Sequence, residues 1–175
     1  MMPWPGDDAE RTPVPPELFS AKDEGPFKTC SDCGASLEAP DALHLIGKSW
    51  RDGEVIFEFA LCMGCGLTLF SQYSEESRRN LEEYFRPLSG SGGGATACVR
   101  CGRSGPELER EKNLEGLAMG GMLLDQPILI CGPCAEGADA VLSKKTREAF
   151  DDFVRRVCPS FPSDAELPAP VFSLP

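Results

Sequence analysis

The sequence predicts a small α+β fold built twice over from one short module, and three observations predict it. Four Cys-x-x-Cys pairs fall into two sets, Cys30/Cys33 with Cys62/Cys65 and Cys98/Cys101 with Cys131/Cys134. The pairs stand 28 residues apart in the first set and 29 in the second. The stretch Ser74 to Arg86 realigns with Ser143 to Arg155 at an offset of 69 residues, against 68 for the first cysteine pairs. A Gly/Ser-rich run from Pro87 to Thr96 separates the copies. Self-similarity at a fixed period fixes architecture. The expected organisation is therefore two tandem modules at 28–86 and 97–158, a linker at 87–96, and disordered Pro-rich ends at 1–27 and 159–175.

The cysteines supply the reason such modules can stand. Two thiolates two residues apart can hold one metal ion, and two such pairs complete a tetrahedral four-sulfur site. A module of about 60 residues has a marginal hydrophobic core. A structural zinc ion can add roughly 10 kcal/mol or more of binding free energy that is also folding free energy. Two Zn2+ per chain are expected, one held by Cys30, Cys33, Cys62 and Cys65, the other by Cys98, Cys101, Cys131 and Cys134. Closure within each copy is the simplest pairing; a cross-braced set joining Cys30/Cys33 to Cys98/Cys101 is the alternative.

Each element can be placed in order. Cys30-Ser31-Asp32-Cys33-Gly34 forms a knuckle, with Gly34 free to take a positive φ. Ala42 to Lys48 reads as a strand, Arg51-Asp52-Gly53 as a turn and Glu54 to Leu61 as the return strand. Val55, Phe57, Phe59 and Leu61 alternate, so they are expected on one buried face. In the second copy the corresponding hairpin is expected at Met122–Leu124 and Ile128–Ile130, turning at Asp125-Gln126-Pro127 and ending at Cys131. Ser74 and Ser143 are expected N-caps of closing helices. Leu81, Tyr84 and Phe85, and Phe150, Phe153, Val154 and Val157, form the apolar stripes of those helices. Glu82 with Arg86, and Asp151 with Arg155, fall at i,i+4 on the wet side.

The order knuckle, β-hairpin, then Cys-x-x-Cys leading into a helix resembles treble-clef zinc fingers and the overlapping zinc ribbons. The matching residues are the eight cysteines with Gly34, Gly66 and Gly102. Ile130-Cys131-Gly132-Pro133-Cys134 also looks like the amino-terminal zinc domain of the ClpX unfoldase family, which dimerises and docks adaptors. These resemblances imply treble-clef-like modules with structural metal sites, and leave function open because such folds host many roles. The Cys-x-x-Cys-Gly loops also look like rubredoxin, which would imply iron and electron transfer. Ala35 and Arg103 stand where rubredoxin usually has an aromatic, and Ala135 replaces the glycine after the last cysteine. Zinc is therefore the expected metal and iron the alternative.

Charge and the remaining side chains narrow the function classes. The formal net charge is −11, and two four-thiolate zinc centres bring it to about −15. Nucleic-acid binding needs basic surface to displace counterions; here Arg78/Arg79, Lys144/Lys145/Arg147 and Arg155/Arg156 are interleaved with acids. A four-thiolate zinc has no open position for substrate, and one histidine, His44, supports no Ser-His-Asp or Cys-His set. His44 is not needed as a ligand, and Cys158, the ninth cysteine, is expected to be an incidental apolar residue. No apolar run approaches 18 residues and no basic-then-apolar leader opens the chain. The expectation is a soluble, cytoplasmic, non-catalytic zinc protein that meets a protein partner, with rubredoxin-like electron transfer or a nucleic-acid-associated ribbon as alternatives. Short motifs anchored by Trp4 or Phe172 are conceivable in the Pro-rich ends.

Overall fold

Alternating apolar residues and an Asp-Gly pair set the first hairpin. In the computed structural model, which describes residues 11–86 and 96–168, strand β2 (His44–Arg51) returns antiparallel as β3 (Glu54–Cys62). The two-residue turn has φ of 53° at Asp52 and 81° at Gly53, the doubly positive backbone that matches the twist of a hairpin. Phe57, Phe59 and Leu61 are buried, but Val55 is 44% exposed. The register shifts between Ser49 and Trp50, leaving Ile56 as an extra residue in β3. A one-residue bulge moves everything beyond it to the other face, so Val55 leaves the face that Phe57 and Phe59 share.

The second hairpin lies earlier than expected. Its outgoing strand is β4 (Lys112–Met119), it turns at Gly120-Gly121, and it returns as β5 (Met122–Leu123) and β6 (Ile128–Cys131), both beside β4. Met122–Leu124 therefore belongs to the return strand, and Asp125-Gln126-Pro127 interrupts that strand instead of turning the hairpin. Adjacent glycines with φ of 60° and 79° make the real turn. Between β5 and β6 the pairing with β4 slips by two residues, where the first hairpin slips by one. That additional residue is the insertion that changes the repeat offset from 68 to 69.

The two copies share one sheet, of order β1-β5-β4-β2-β3, where β1 is Thr12–Pro13, with β6 also beside β4. β2 runs antiparallel to β4 from His44↔Ala118 to Trp50↔Lys112, and Gly47 faces Glu115 at the centre. The repeat makes Gly47 and Glu115 equivalent, and every other pair joins a residue to the equivalent of its mirror position. The ladder thus carries a pseudo-twofold axis through Gly47 and Glu115. A Cβ at Gly47 would collide with the Phe59 ring, so glycine lets that aromatic lie across the strand.

The helices that follow each hairpin cover one face of the sheet. α1 (Met63–Ser71) and α2 (Glu75–Tyr84) follow the first hairpin; α3 (Pro106–Arg110) precedes β4; α4 (Gly132–Ala140) and α5 (Lys144–Val157) follow the second. Phe153 of α5 packs edge-on against Phe57 and Phe59, with ring centroids 6.1 and 5.6 Å away. The Asp151–Arg155 pair forms at 3.0 Å, whereas no Glu82–Arg86 ion pair occurs among the described residues.

The segment before the first knuckle, described from residue 11, covers the other face. β1 (Thr12–Pro13) pairs with β5, and a 3-10 turn at Pro16–Leu18 buries Leu18 fully. Lys48 Nζ donates to the Phe19 carbonyl, and Ala21 N donates to Glu58 Oε1 at 3.0 Å. A disordered end through residue 27 therefore does not describe 11–27, because Val14, Leu18 and Phe27 are enough to pin a proline-stiffened strand of chain to the sheet. Likewise Phe161 is buried against Phe57 and Arg51 donates to Glu166 O. Residues 1–10, 87–95 and 169–175, with Trp4, Phe172 and nearly all of the expected linker, lie outside the described residues.

On the pseudo-twofold axis the helix N-caps meet. Ser74 Oγ accepts from Ser77 N (3.1 Å) and Ser143 Oγ from Thr146 N (3.3 Å). Ser74 N donates to Thr146 Oγ1 (2.9 Å), Ser143 N donates to Ser77 Oγ (2.8 Å), and the two cap hydroxyls are 2.8 Å apart. Ser77 and Thr146 are fully buried. Ser77→Ala should destabilise the chain by about 1–3 kcal/mol, because it strands the part-buried backbone N–H of Ser143 in the other copy. Urea unfolding of the metal-loaded protein measures this; a midpoint equal to that of the wild type would show that the hydroxyl quartet does not hold the copies together.

Candidate metal centres

Each knuckle is shaped by its own backbone. Cys30 N donates to Ala35 O and Gly34 N to Cys30 O; in the second copy Cys98 N donates to Arg103 O and Gly102 N to Cys98 O, all at 2.8–2.9 Å. Gly34 and Gly102 have φ of 76° and 72°, the left-handed backbone such a loop needs. Both knuckles dock on the return strand through the same bond, Ser31 N to Ala60 O and Val99 N to Leu129 O. The return strand ends on Cys62 or Cys131, which begins a helix, and Cys65 or Cys134 sits in that helix's first turn. Loop, strand end and helix start therefore converge on one point in each copy.

The sulfurs of Cys30, Cys33, Cys62 and Cys65 lie within 4.8 Å of one another, as do those of Cys98, Cys101, Cys131 and Cys134. Pairing is within a copy, not cross-braced. The Cys33–Cys62 sulfurs are 3.8 Å apart and Cys101–Cys131 3.7 Å. These separations are far too long for disulfides, whose sulfurs stand about 2.05 Å apart. They match the edge of a tetrahedron with metal–sulfur bonds of about 2.3 Å, roughly 3.8 Å. Cys62 N donates to Cys30 Sγ and Cys65 N to Cys62 Sγ, at 3.4 and 3.5 Å. The donor set, its spacing and its N–H···S bonds fit a soft or borderline cation such as Zn2+, and equally Fe.

The thiols do not ionise alike. Burial pushes Cys30 and Cys98 up, but backbone N–H groups, chiefly of Cys33 and Cys62 and of Cys101 and Cys131, outweigh it and bring each down to about 7. Burial raises Cys62, Cys65, Cys131 and Cys134, and a neighbouring thiolate at Cys30 or Cys98 raises them further. One thiolate thus resists the next, and a divalent cation among the sulfurs removes that resistance.

The other candidates stand apart. His44 is buried with Nδ1 2.7 Å from Ala42 O; its repeat partner is Lys112, and it joins neither cluster. Cys158 caps α5 with its sulfur 3.6 Å from Ser160 Oγ. Four contacts around the sites had no reading from the sequence. Asp32, between Cys30 and Cys33, takes a two-pronged bond from Arg156 of α5, at 2.7 and 3.0 Å. Arg100, between Cys98 and Cys101, lies 3.8 Å over the ring of Tyr84 in α2 and donates to Tyr84 O at 2.9 Å. The charged residue inside each knuckle pair, Asp32 in one and Arg100 in the other, was the available signal.

No protein-family model, curated protein or solved structure matches the chain. Among the described residues no helix is long and apolar enough to cross a membrane.

Metal removal should unfold the chain, since the binding free energy of a structural site is also folding free energy. A chelator should abolish the folded circular-dichroism signal; a cooperative thermal transition surviving complete metal removal would refute this. Protons compete for the same sulfurs, so metal retention should weaken as pH falls. Stripping by a chromogenic chelator, followed at about pH 6 and about pH 8, should be faster at the lower value.

Proposed function

We propose that this chain is a non-catalytic zinc-binding protein whose two treble-clef-like modules hold structural Zn2+ and present a rigid surface to a protein partner. The observation that carries this reading is the closed donor set of each cluster: four sulfurs within 4.8 Å of one another. An ion bound by all four has no coordination position left for water or substrate. Its contribution is then to fix the knuckle, the return strand and the first turn of the helix as one unit.

The same chemistry supports a reducing, cytoplasmic setting, where eight metal-bound thiolates persist without oxidation. The net charge of −11 favours a partner with basic surface. Because β2 and β4 pair with one another, the outgoing strands are committed to the sheet interior, while β3 stands at its edge. The outer sides of α2 and α5, the knuckle rims at Cys33 and Cys101, and the β3 edge with Val55 are surfaces open to a partner.

Elemental analysis of freshly purified protein, with a visible spectrum, tests the reading. Two zinc per chain and no colour are expected. Stoichiometric iron with thiolate-to-iron absorption would replace it by rubredoxin-like electron transfer. Retention on heparin at moderate salt would count instead for the nucleic-acid alternative.

A further inference from the structure

The ligands of each four-cysteine site come from one copy, but the other copy reaches in to clasp each site. In the first site Asp32 stands between the two knuckle cysteines, and its carboxylate is gripped by the Arg156 guanidinium near the end of α5. Paired planar bonds of this kind fix direction as well as distance. In the second site Arg100 stands inside the knuckle and clasps the end of α2 through the Tyr84 carbonyl and ring. Tyr84 reaches further, its hydroxyl donating to the carbonyl of the ligand Cys134 at 2.9 Å. A Cβ at Gly137 would collide with that hydroxyl, so the helix carrying Cys134 has a glycine where the tyrosine enters. Phe153, which the repeat aligns with Tyr84, makes the reciprocal insertion against Phe59 and Phe57.

These contacts close a circuit. The first knuckle holds α5, α5 begins at the Ser143 cap directly after α4, and α4 carries Cys134 in its first turn. The second knuckle holds α2, α2 begins at the Ser74 cap just after α1, and α1 carries Cys65. The two caps are joined on the pseudo-twofold axis.

We propose that the two metal ions bind cooperatively, because the closing helix of each copy positions the four-cysteine site of the other. Arg156 is the positioning residue for the first site, and Tyr84 and Arg100 are those for the second. A metal in either site orders its own knuckle, and through the clasp it orders the helix pair that supplies the opposite site's second cysteine pair. Coupling of this kind is reciprocal: each ion raises the affinity for the other by the same factor.

This inference rests on the reading that both clusters hold metal, and the experiment separates the two. Full-length apo-protein is given one equivalent of Zn2+, and native mass spectrometry counts chains carrying none, one or two ions. Cooperative binding should leave mainly empty and doubly loaded chains. A statistical distribution rich in singly loaded chains would overturn the inference and leave the metal reading intact; absence of bound metal would overturn both. Arg156→Ala and Tyr84→Phe supply the second arm, the latter removing only the hydroxyl. Each should weaken metal retention against a competing chelator by about 10–100-fold, the usual effect of losing an outer-shell contact, and should let singly loaded chains accumulate. Wild-type retention and filling in both variants would overturn the assignment of these residues, and circular dichroism of the loaded variants verifies that the fold is kept.

Discussion

The β2–β4 ladder is the constraint on which the rest of the molecule depends. A hairpin alone has two unpaired edges, and each edge invites another strand. Here the outgoing strand of each copy satisfies the other from His44↔Ala118 through Trp50↔Lys112, so the least protected edge of each hairpin becomes the middle of a sheet. Once the strands are joined, the residues on either side of Gly47 and Glu115 have fixed neighbours above and below. Helices from both copies must then share one face. The rings of Phe57, Phe59 and Phe153 form a single cluster there that neither copy could complete alone.

The opposite face is closed by different means. Lys48 and Lys112 are 8% and 3% exposed and lie 6.0 and 4.9 Å from the centre of the Trp50 ring. Buried ammonium groups need partners, and both have them: Glu58 at 3.1 Å for Lys48, Glu109 at 2.9 Å for Lys112. The Phe19 carbonyl also accepts from Lys48, which ties the N-terminal strap to the sheet beside Leu18. The strap breaks the pseudo-twofold symmetry, since one segment covers a face to which both copies contribute. Divergence of the copies follows from that asymmetry: His44 against Lys112, and Trp50 against Ala118, lie where the strap treats the two halves differently.

What the sequence disclosed tracks how local each cause is. Metal ligation demands one residue type at fixed short spacing, so all eight cysteines could be read directly, while their grouping within copies was only the simpler of two pairings until the fold brought the sulfurs together. Ser74 and Ser143 announced themselves as caps, and the first hairpin showed in the alternation of Phe57, Phe59 and Leu61. The second hairpin was obscured because Glu115-Gly116 interrupts the apolar pattern of β4, while the apolar Ile128–Ile130 drew attention to the return strand. Glu115 sits at the axis for reasons of pairing, which no local pattern records. The strap was read as disordered because prolines and acids dominate its composition, although three apolar anchors suffice to hold it. Asp32 and Arg156 are 124 positions apart, and neither looks unusual without the fold that brings them together.

The joined sheet also changes what the metal is for. Two independent modules of about 60 residues would each need an ion to offset a deficient core. A shared core removes part of that deficit, yet both four-cysteine clusters remain, and both stand at the junction of a knuckle, a return strand and a helix start. Their position is more informative than their affinity. The apolar core sets the sheet and the inner faces of the helices and takes in Cys30 and Cys98, but it leaves the outer rim of each knuckle, with Cys33 and Cys101, exposed. Hydrophobic burial is non-directional and cannot set the orientation of such exposed loops, whereas tetrahedral coordination can. Each ion therefore ties the rim of the molecule to its core at the point where strand becomes helix, and the Asp32–Arg156 and Arg100–Tyr84 contacts carry that register from one copy to the other.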